Sequence, residues 1–111
     1  MENKTAVHIL AALAQETRLE LFRLLVQQGH AGMNAGRIAQ VLRIPNSTLS
    51  YHLAELEKVG LVLSEKVQRH IIYRADYAQM EKFLAFLVED CCQGSGEICL
   101  GLSRPLHCQQ E

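Results

Sequence analysis

Cysteine is missing from the first 90 residues of this chain, and all four cysteines (Cys91, Cys92, Cys99 and Cys108) fall in the last 21 positions. A disulfide-stapled secreted fold spreads its cross-links through the core, so this distribution excludes that class and points to a local thiol site. Proline occurs only twice, with 49% hydrophobic and 21% charged residues, which excludes disordered, collagen-like and fibrous chains. No uninterrupted apolar run approaches the roughly 18 residues that a membrane span needs. The start Met1-Glu2-Asn3-Lys4-Thr5 lacks a basic region followed by a hydrophobic signal core. A cytoplasmic protein without membrane contact is expected. There is no nucleotide-binding glycine loop and no His-Glu-x-x-His pattern, and the only histidine near the cysteines is His107, so no enzymatic activity is expected.

A charge of one sign is also lacking overall, since the formal net charge is −1. The balance is uneven along the chain. Residues 34–74 hold six cations (Arg37, Arg43, Lys58, Lys66, Arg69, Arg74) against three acids (Glu55, Glu57, Glu65), a local charge of +3 that leaves −4 for the remainder. The middle of the chain can therefore face phosphate while the termini repel it. At 111 residues the chain fits one folded domain, which buries only a moderate part of its surface alone and gains by dimerising.

Hydrophobic spacing predicts a mainly α fold with a two-stranded β-hairpin. Val7, Leu10, Leu13 and Ala14 at helical spacing mark a first helix over residues 5–14. A second begins at Thr17, buries Leu21, Phe22, Leu24 and Leu25, and closes at Gly29. Asn34 caps a third, with Ala35, Ile38, Ala39 and Leu42 at helical spacing. Pro45 forces a tight connection after Ile44 and suits a first helical position. The fourth helix buries Leu49, Leu53 and Leu56, turns Ser47, Ser50, Tyr51 and Ala54 outward, and stops at Gly60. Leu61-Val62-Leu63 and Ile71-Ile72-Tyr73 then form a hairpin across the polar stretch Ser64 to His70, whose tip has no glycine or asparagine. The last helix runs from about Tyr77 to Cys92, with Met80, Phe83, Leu84, Leu87, Val88 and Cys91 on one stripe, and ends at Gly94-Ser95-Gly96.

Two short helices joined by a tight turn and followed by a basic-tipped hairpin match the winged helix-turn-helix in order and length. Reading a major groove requires a thin, uncharged, hydrogen-bonding helix face with cations at its margins. Asn46, Ser47, Thr48, Ser50, Tyr51 and His52 can supply that face, and Lys66 and Arg69 at the hairpin tip can touch phosphate or minor groove. His52 also lies beside the leucine stripe, so a packed core histidine and a direct phosphate contact are both compatible with its position.

Thr48-Leu49-Ser50-Tyr51-His52-Leu53-Ala54-Glu55-Leu56 followed by Gly60-Leu61-Val62, together with Glu16-Thr17-Arg18-Leu19-Glu20-Leu21-Phe22-Arg23-Leu24-Leu25, resembles the ArsR family of metalloid- and metal-responsive repressors. The resemblance covers roughly residues 8–90. It implies a homodimer built on the first and last helices that represses transcription by binding operator DNA until an inducer arrives. It also implies a division into a winged helix-turn-helix and dimerisation domain, residues 1–92, and an inducer-binding tail, residues 93–111.

Trivalent arsenic or antimony, as inducer, is satisfied by three thiolates in a pyramid. The family's third-helix cysteine motif is absent, since Ala35 to Leu42 has no cysteine, and so is its last-helix zinc pattern, since Asp76 is followed by Tyr77 and Ala78. A Cys-Cys pair with a third cysteine further on resembles the arsenite-responsive members with a C-terminal site, which implies Cys91, Cys92 and Cys99 as ligands and leaves Cys108 spare. Adjacent helical residues point about 100° apart, so Gly94 and Gly96 would have to let the chain turn for the sulfurs to meet. No cofactor is needed for DNA binding on this reading. Two alternatives remain: a thiol redox sensor, and a zinc, cadmium or lead site of four sulfurs that includes Cys108.

Overall fold

The computed structural model describes residues 1–89. Five helices and three short strands follow in the order α1 (Asn3–Leu13), α2 (Glu16–Gln28), a 3₁₀ turn (Gly29–Ala31), β1 (Met33–Asn34), α3 (Ala35–Leu42), α4 (Asn46–Lys58), β2 (Val62–Val67), β3 (His70–Ala75) and α5 (Tyr77–Leu87). This is the mainly α, winged helix-turn-helix fold that the periodicity indicates.

The core is one cluster to which almost every element contributes. Ile9, Leu21, Leu25, Ile38, Leu49, Leu56 and Leu61 are essentially sealed from solvent. Burying one such side chain stabilises by roughly 1.5–3 kcal/mol, so these seven dominate cohesion. α2 runs through the middle, with Leu21 and Leu25 one turn apart and Phe22 beside them. Gln15 caps its start, accepting a hydrogen bond from the Arg18 backbone N–H at 2.8 Å.

In α1, Val7 and Leu10 do not mark the core face. Its buried residues are Ala6, Ile9 and Ala12, whereas Val7 and Leu10 are 58% and 46% exposed and Ala14 is exposed. The alanines let the α1 backbone approach its neighbours closely, and the larger Val7 and Leu10 are left on the outer side. Apolar spacing alone could not choose between these two stripes.

The sheet has three strands in the order β1-β3-β2 rather than two. β1 pairs Met33 with Tyr73 and Asn34 with Ile72, and a strand of two residues leaves no period to read. The hairpin strands also extend further than the apolar residues do. The register runs from Val62 opposite Ala75 to Val67 opposite His70, so Ser64, Glu65 and Lys66 are strand residues. Glu65 and Arg74 form an ion pair at 2.8 Å across it. The turn is therefore the two residues Gln68 and Arg69, with Gln68 at φ 57°, a conformation that costs a non-glycine residue about 1–2 kcal/mol.

Two helix ends set the positions of the neighbouring elements. After α4, Gly60 N–H bonds Glu57 C=O and Leu61 N–H bonds Leu56 C=O, the paired closure that terminates a helix on a left-handed glycine. Asp76 caps α5 by accepting from the Gln79 backbone N–H at 3.1 Å, and the Tyr77 hydroxyl donates to the Val26 carbonyl at 2.7 Å, tying α5 to α2. α5 ends at Leu87 with Val88 as its cap, not at Cys92. Glu89 N–H bonds Phe86 C=O, a three-residue step that tightens the last turn. The expected stop at Gly94-Ser95-Gly96 lies outside the described residues.

Candidate nucleic-acid interface

The turn between α3 and α4 is built by three consecutive residues with different constraints. Arg43 closes α3 in the left-handed region, at φ 57°, ψ 48°, and the Ile44 N–H returns to the Ala39 carbonyl. Pro45, fixed at φ −65° and extended in ψ, is the N-cap of α4 rather than its first helical residue, and Leu49 N–H bonds its carbonyl. Proline provides no side chain to cap the first turn. The opening N–H groups of a helix have no partners within it, so those at Asn46, Ser47 and Thr48 can serve an anion such as phosphate.

α4 divides cleanly by burial. Leu49, Leu53 and Leu56 are at most 2% exposed, while Asn46, Ser47, Thr48, Ser50, Tyr51 and Ala54 are exposed. Every exposed residue in that set is uncharged, and all but Ala54 carry a side-chain hydrogen-bonding group. Lys66 and Arg69 are exposed on the hairpin, and neither forms an ion pair among the described residues.

His52 departs from the rest. It is 7% exposed, so it does not face outward with Ser50 and Tyr51. Its Nδ1 lies 3.1 Å from Arg18 Nη1. A guanidinium has donors and no acceptor, so Nδ1 must accept and the ring proton sits on Nε2. Burial first, and then the Arg18 charge, hold the ring below the usual imidazole range against an opposing pull from Glu55.

Arg18 was not anticipated as part of this region. Its Nε donates to the Ala12 carbonyl of α1 at 2.6 Å, and its guanidinium carbon lies 5.8 Å from the centre of the Tyr51 ring, within cation–π range. Tyr51 and His52 are themselves in ring contact at 5.3 Å. Sequence signals gave the Arg18 block only as a helix; no short spacing reports a contact across 34 positions. Also unanticipated is a shallow groove of about 630 Å³ lined by Gly36, Gln40, Arg43, Pro45 and Asn46, which puts the Arg43 cation beside the start of α4.

The described residues contain no group of three or more His, Cys, Asp or Glu placed to hold a metal ion. Cys91, Cys92, Cys99 and Cys108 lie outside them. No helix among the described residues is long and apolar enough to cross a membrane.

An uncharged outward face on the second helix of a helix-turn-helix, with a cationic hairpin after it, defines a winged-helix DNA-binding protein. The helix-turn-helix domain family matches residues 13–65. The structure is similar to the ArsR-like transcriptional regulator from Rhodococcus sp. RHA1, with TM-score 0.70 and 30% identity over 92% of each chain. It is also similar to the homodimeric winged helix-turn-helix DNA-binding domain Mb0332 from Mycobacterium bovis, with TM-score 0.64 and 26% identity over 77% of each chain. The transcriptional activator HlyU of Vibrio cholerae is 29% identical over 90 residues, 81% of each protein. The chain belongs to the ArsR-like family of transcriptional regulators.

Proposed function

We propose that this regulator is a homodimeric repressor that holds operator DNA until trivalent arsenic or antimony binds Cys91, Cys92 and Cys99. The observation that supports DNA reading best is the sorting of α4 into sealed leucines and an exposed uncharged face. In this reading Asn46, Ser47, Thr48, Ser50 and Tyr51 meet base edges and backbone. Arg43, Lys66 and Arg69 meet phosphate, and His52 serves the site from inside the helix packing. Two copies of α4 would address half-sites about 34–36 Å apart.

Dimerisation through α1 and α5 is supported by the apolar residues those helices leave outside. Val7 and Leu10 on α1 and Leu87 on α5 are 46–58% exposed, and the Mycobacterium bovis domain is homodimeric by its own description. Residues 1–92 would carry DNA binding and dimerisation, and the tail of residues 93–111 would complete with Cys99 the inducer site begun at Cys91 and Cys92. Because every cysteine lies beyond residue 90, a three-thiolate site can only be assembled there. Such a protein works in the cytoplasm beside the chromosome.

The test uses a duplex enriched from a random pool by the wild-type chain and followed by fluorescence anisotropy. Arsenite should release the duplex, and Cys91→Ser, Cys92→Ser or Cys99→Ser should abolish release without weakening binding. Release by oxidant alone would establish the redox sensor in its place, and release by zinc, cadmium or lead alone a metal sensor. If all three serine variants still respond to arsenite, the ligand assignment falls.

A further inference from the structure

The leucines of α4 fix the face that the helix turns to the core. Near its C-terminal end α4 is held by Ser64 Oγ donating to Glu57 Oε2 and by Gln79 Nε2 donating to the Val59 carbonyl; its middle is held by Arg18. Arg18 binds the last turn of α1 through Ala12 C=O at 2.6 Å and the middle of α4 through His52 Nδ1 at 3.1 Å. Next to this link lies a cleft of about 450 Å³ lined by His8, Ala11, Ala12, Arg18, Glu55 and Lys58. On that side the cleft parts α1 from α4 and Arg18 spans it, while elsewhere the two helices touch directly.

We propose that Arg18 is the positioning residue of the reading helix: by holding Ala12 of α1 and the neutral ring of His52 together, it fixes the rotation of α4 and the presentation of Tyr51 to DNA. The inference rests on the DNA-reading function proposed above and adds how the reading face is held to α1. A planar guanidinium binds two acceptors in fixed relation and lies against an aromatic ring at the same time. A lysine ammonium is a single flexible centre and cannot reproduce this. His52 must be neutral for the link to exist, because a proton on Nδ1 would put two donors face to face. The charged groups acting on the ring are Arg18 of α2 and Glu55 of α4, with His8 of α1 and Lys58 of α4 lining the cleft beside them.

The experiment uses the full chain and the enriched duplex, comparing wild type with Arg18→Lys and His52→Asn. Asparagine Oδ1 can take the place of Nδ1 as acceptor and does not titrate. At about pH 8, where His52 is neutral, the affinity of His52→Asn serves as its own reference, and Arg18→Lys should bind about tenfold more weakly than wild type with an unchanged circular dichroism spectrum. Lowering the pH until a ¹⁵N spectrum shows a second proton on the His52 ring changes every other group of both proteins alike, so the ratio of wild-type to His52→Asn affinity isolates His52. That ratio should fall about fivefold, following the His52 ring in the same spectrum, which shows the proton on Nε2 at high pH. A flat ratio, or Arg18→Lys binding equal to wild type, overturns the proposal. If Arg18→Lys does not fold, the ratio alone decides. A wild-type chain that enriches no duplex overturns the DNA-reading function itself, and this inference with it.

Discussion

Gly32 and Gly29 give an internal control on what β1 requires of its backbone. Gly29 sits at φ 74°, ψ −160° and Gly32 at φ 67°, ψ −163°, nearly the same conformation and one essentially closed to other residues. That strain costs an alanine about 1–3 kcal/mol at either site, less about 0.4–1 kcal/mol recovered because alanine restricts the unfolded chain. The surroundings differ completely. A Cβ on Gly29 meets nothing within 4 Å, whereas one on Gly32 would lie 2.6 Å from the Tyr73 carbonyl oxygen and 2.8 Å from Ile72 Cγ2. The first of these is backbone in β3 and cannot rotate away. Overpacking of this kind adds typically about 1–3 kcal/mol. Gly32→Ala should therefore cost about 1–6 kcal/mol and Gly29→Ala about 0–3 kcal/mol, the difference of about 1–3 kcal/mol being the contact with β3. Urea denaturation followed by circular dichroism, at one protein concentration so that dimerisation does not enter the comparison, measures both. Equal losses for the two variants would show that β1 does not depend on close approach to β3, and the reasoning would fail.

The cap at Asn34 accepts the Arg37 N–H at 2.8 Å, so Asn34→Ala should cost about 1 kcal/mol; the urea midpoint measures the loss, and an unchanged midpoint would refute the capping role. His52 ties stability to pH with a definite sign. Its folded-state pKa lies below the ordinary value of 6.5, so the unfolded chain binds the proton more readily. The His52 contribution is then fully present above about pH 6.5 and is lost as pH falls toward the lower folded-state value. Urea midpoints at about pH 7.5 and 5.5 should separate in wild type by more than in His52→Asn; an equal separation would mean that burial of His52 does not favour its neutral form.

Legibility in the sequence followed the range of the interaction. The α4 stripe was readable because Leu49, Leu53 and Leu56 repeat locally, and the structure seals all three. Asn34 was readable for the same reason, since the capping oxygen and the N–H that donates to it lie three residues apart. β1 was not readable, because its pairing with Tyr73 and Ile72 is a property of the register and not of Met33-Asn34 themselves. Strand length in the hairpin was underestimated because Ser64 to Lys66 are held by backbone pairing and the Glu65–Arg74 ion pair rather than by apolar alternation. Arg18 belongs to the same class as β1: its role depends on Ala12 and His52 converging on it in space.

The two apolar stripes of α1 link these observations. A helix serving both a core and a partner carries two apolar stripes, and a period of 3.6 residues cannot say which is which. Ala6, Ile9 and Ala12 take the core side because small residues permit close approach, which leaves Val7 and Leu10 exposed for the proposed partner. The backbone carbonyl that Arg18 binds is that of Ala12, on the core side of this same helix. Any displacement of α1 by its partner would therefore act directly on the guanidinium, and through His52 on the helix that carries Ser50 and Tyr51. Thiolates gathered beyond α5 would need only to shift the α1–α5 interface for the change to reach the DNA-reading face, with no contact between inducer and DNA. If the proposed inducer acts in this way, bound DNA would by reciprocity weaken its binding by the same factor.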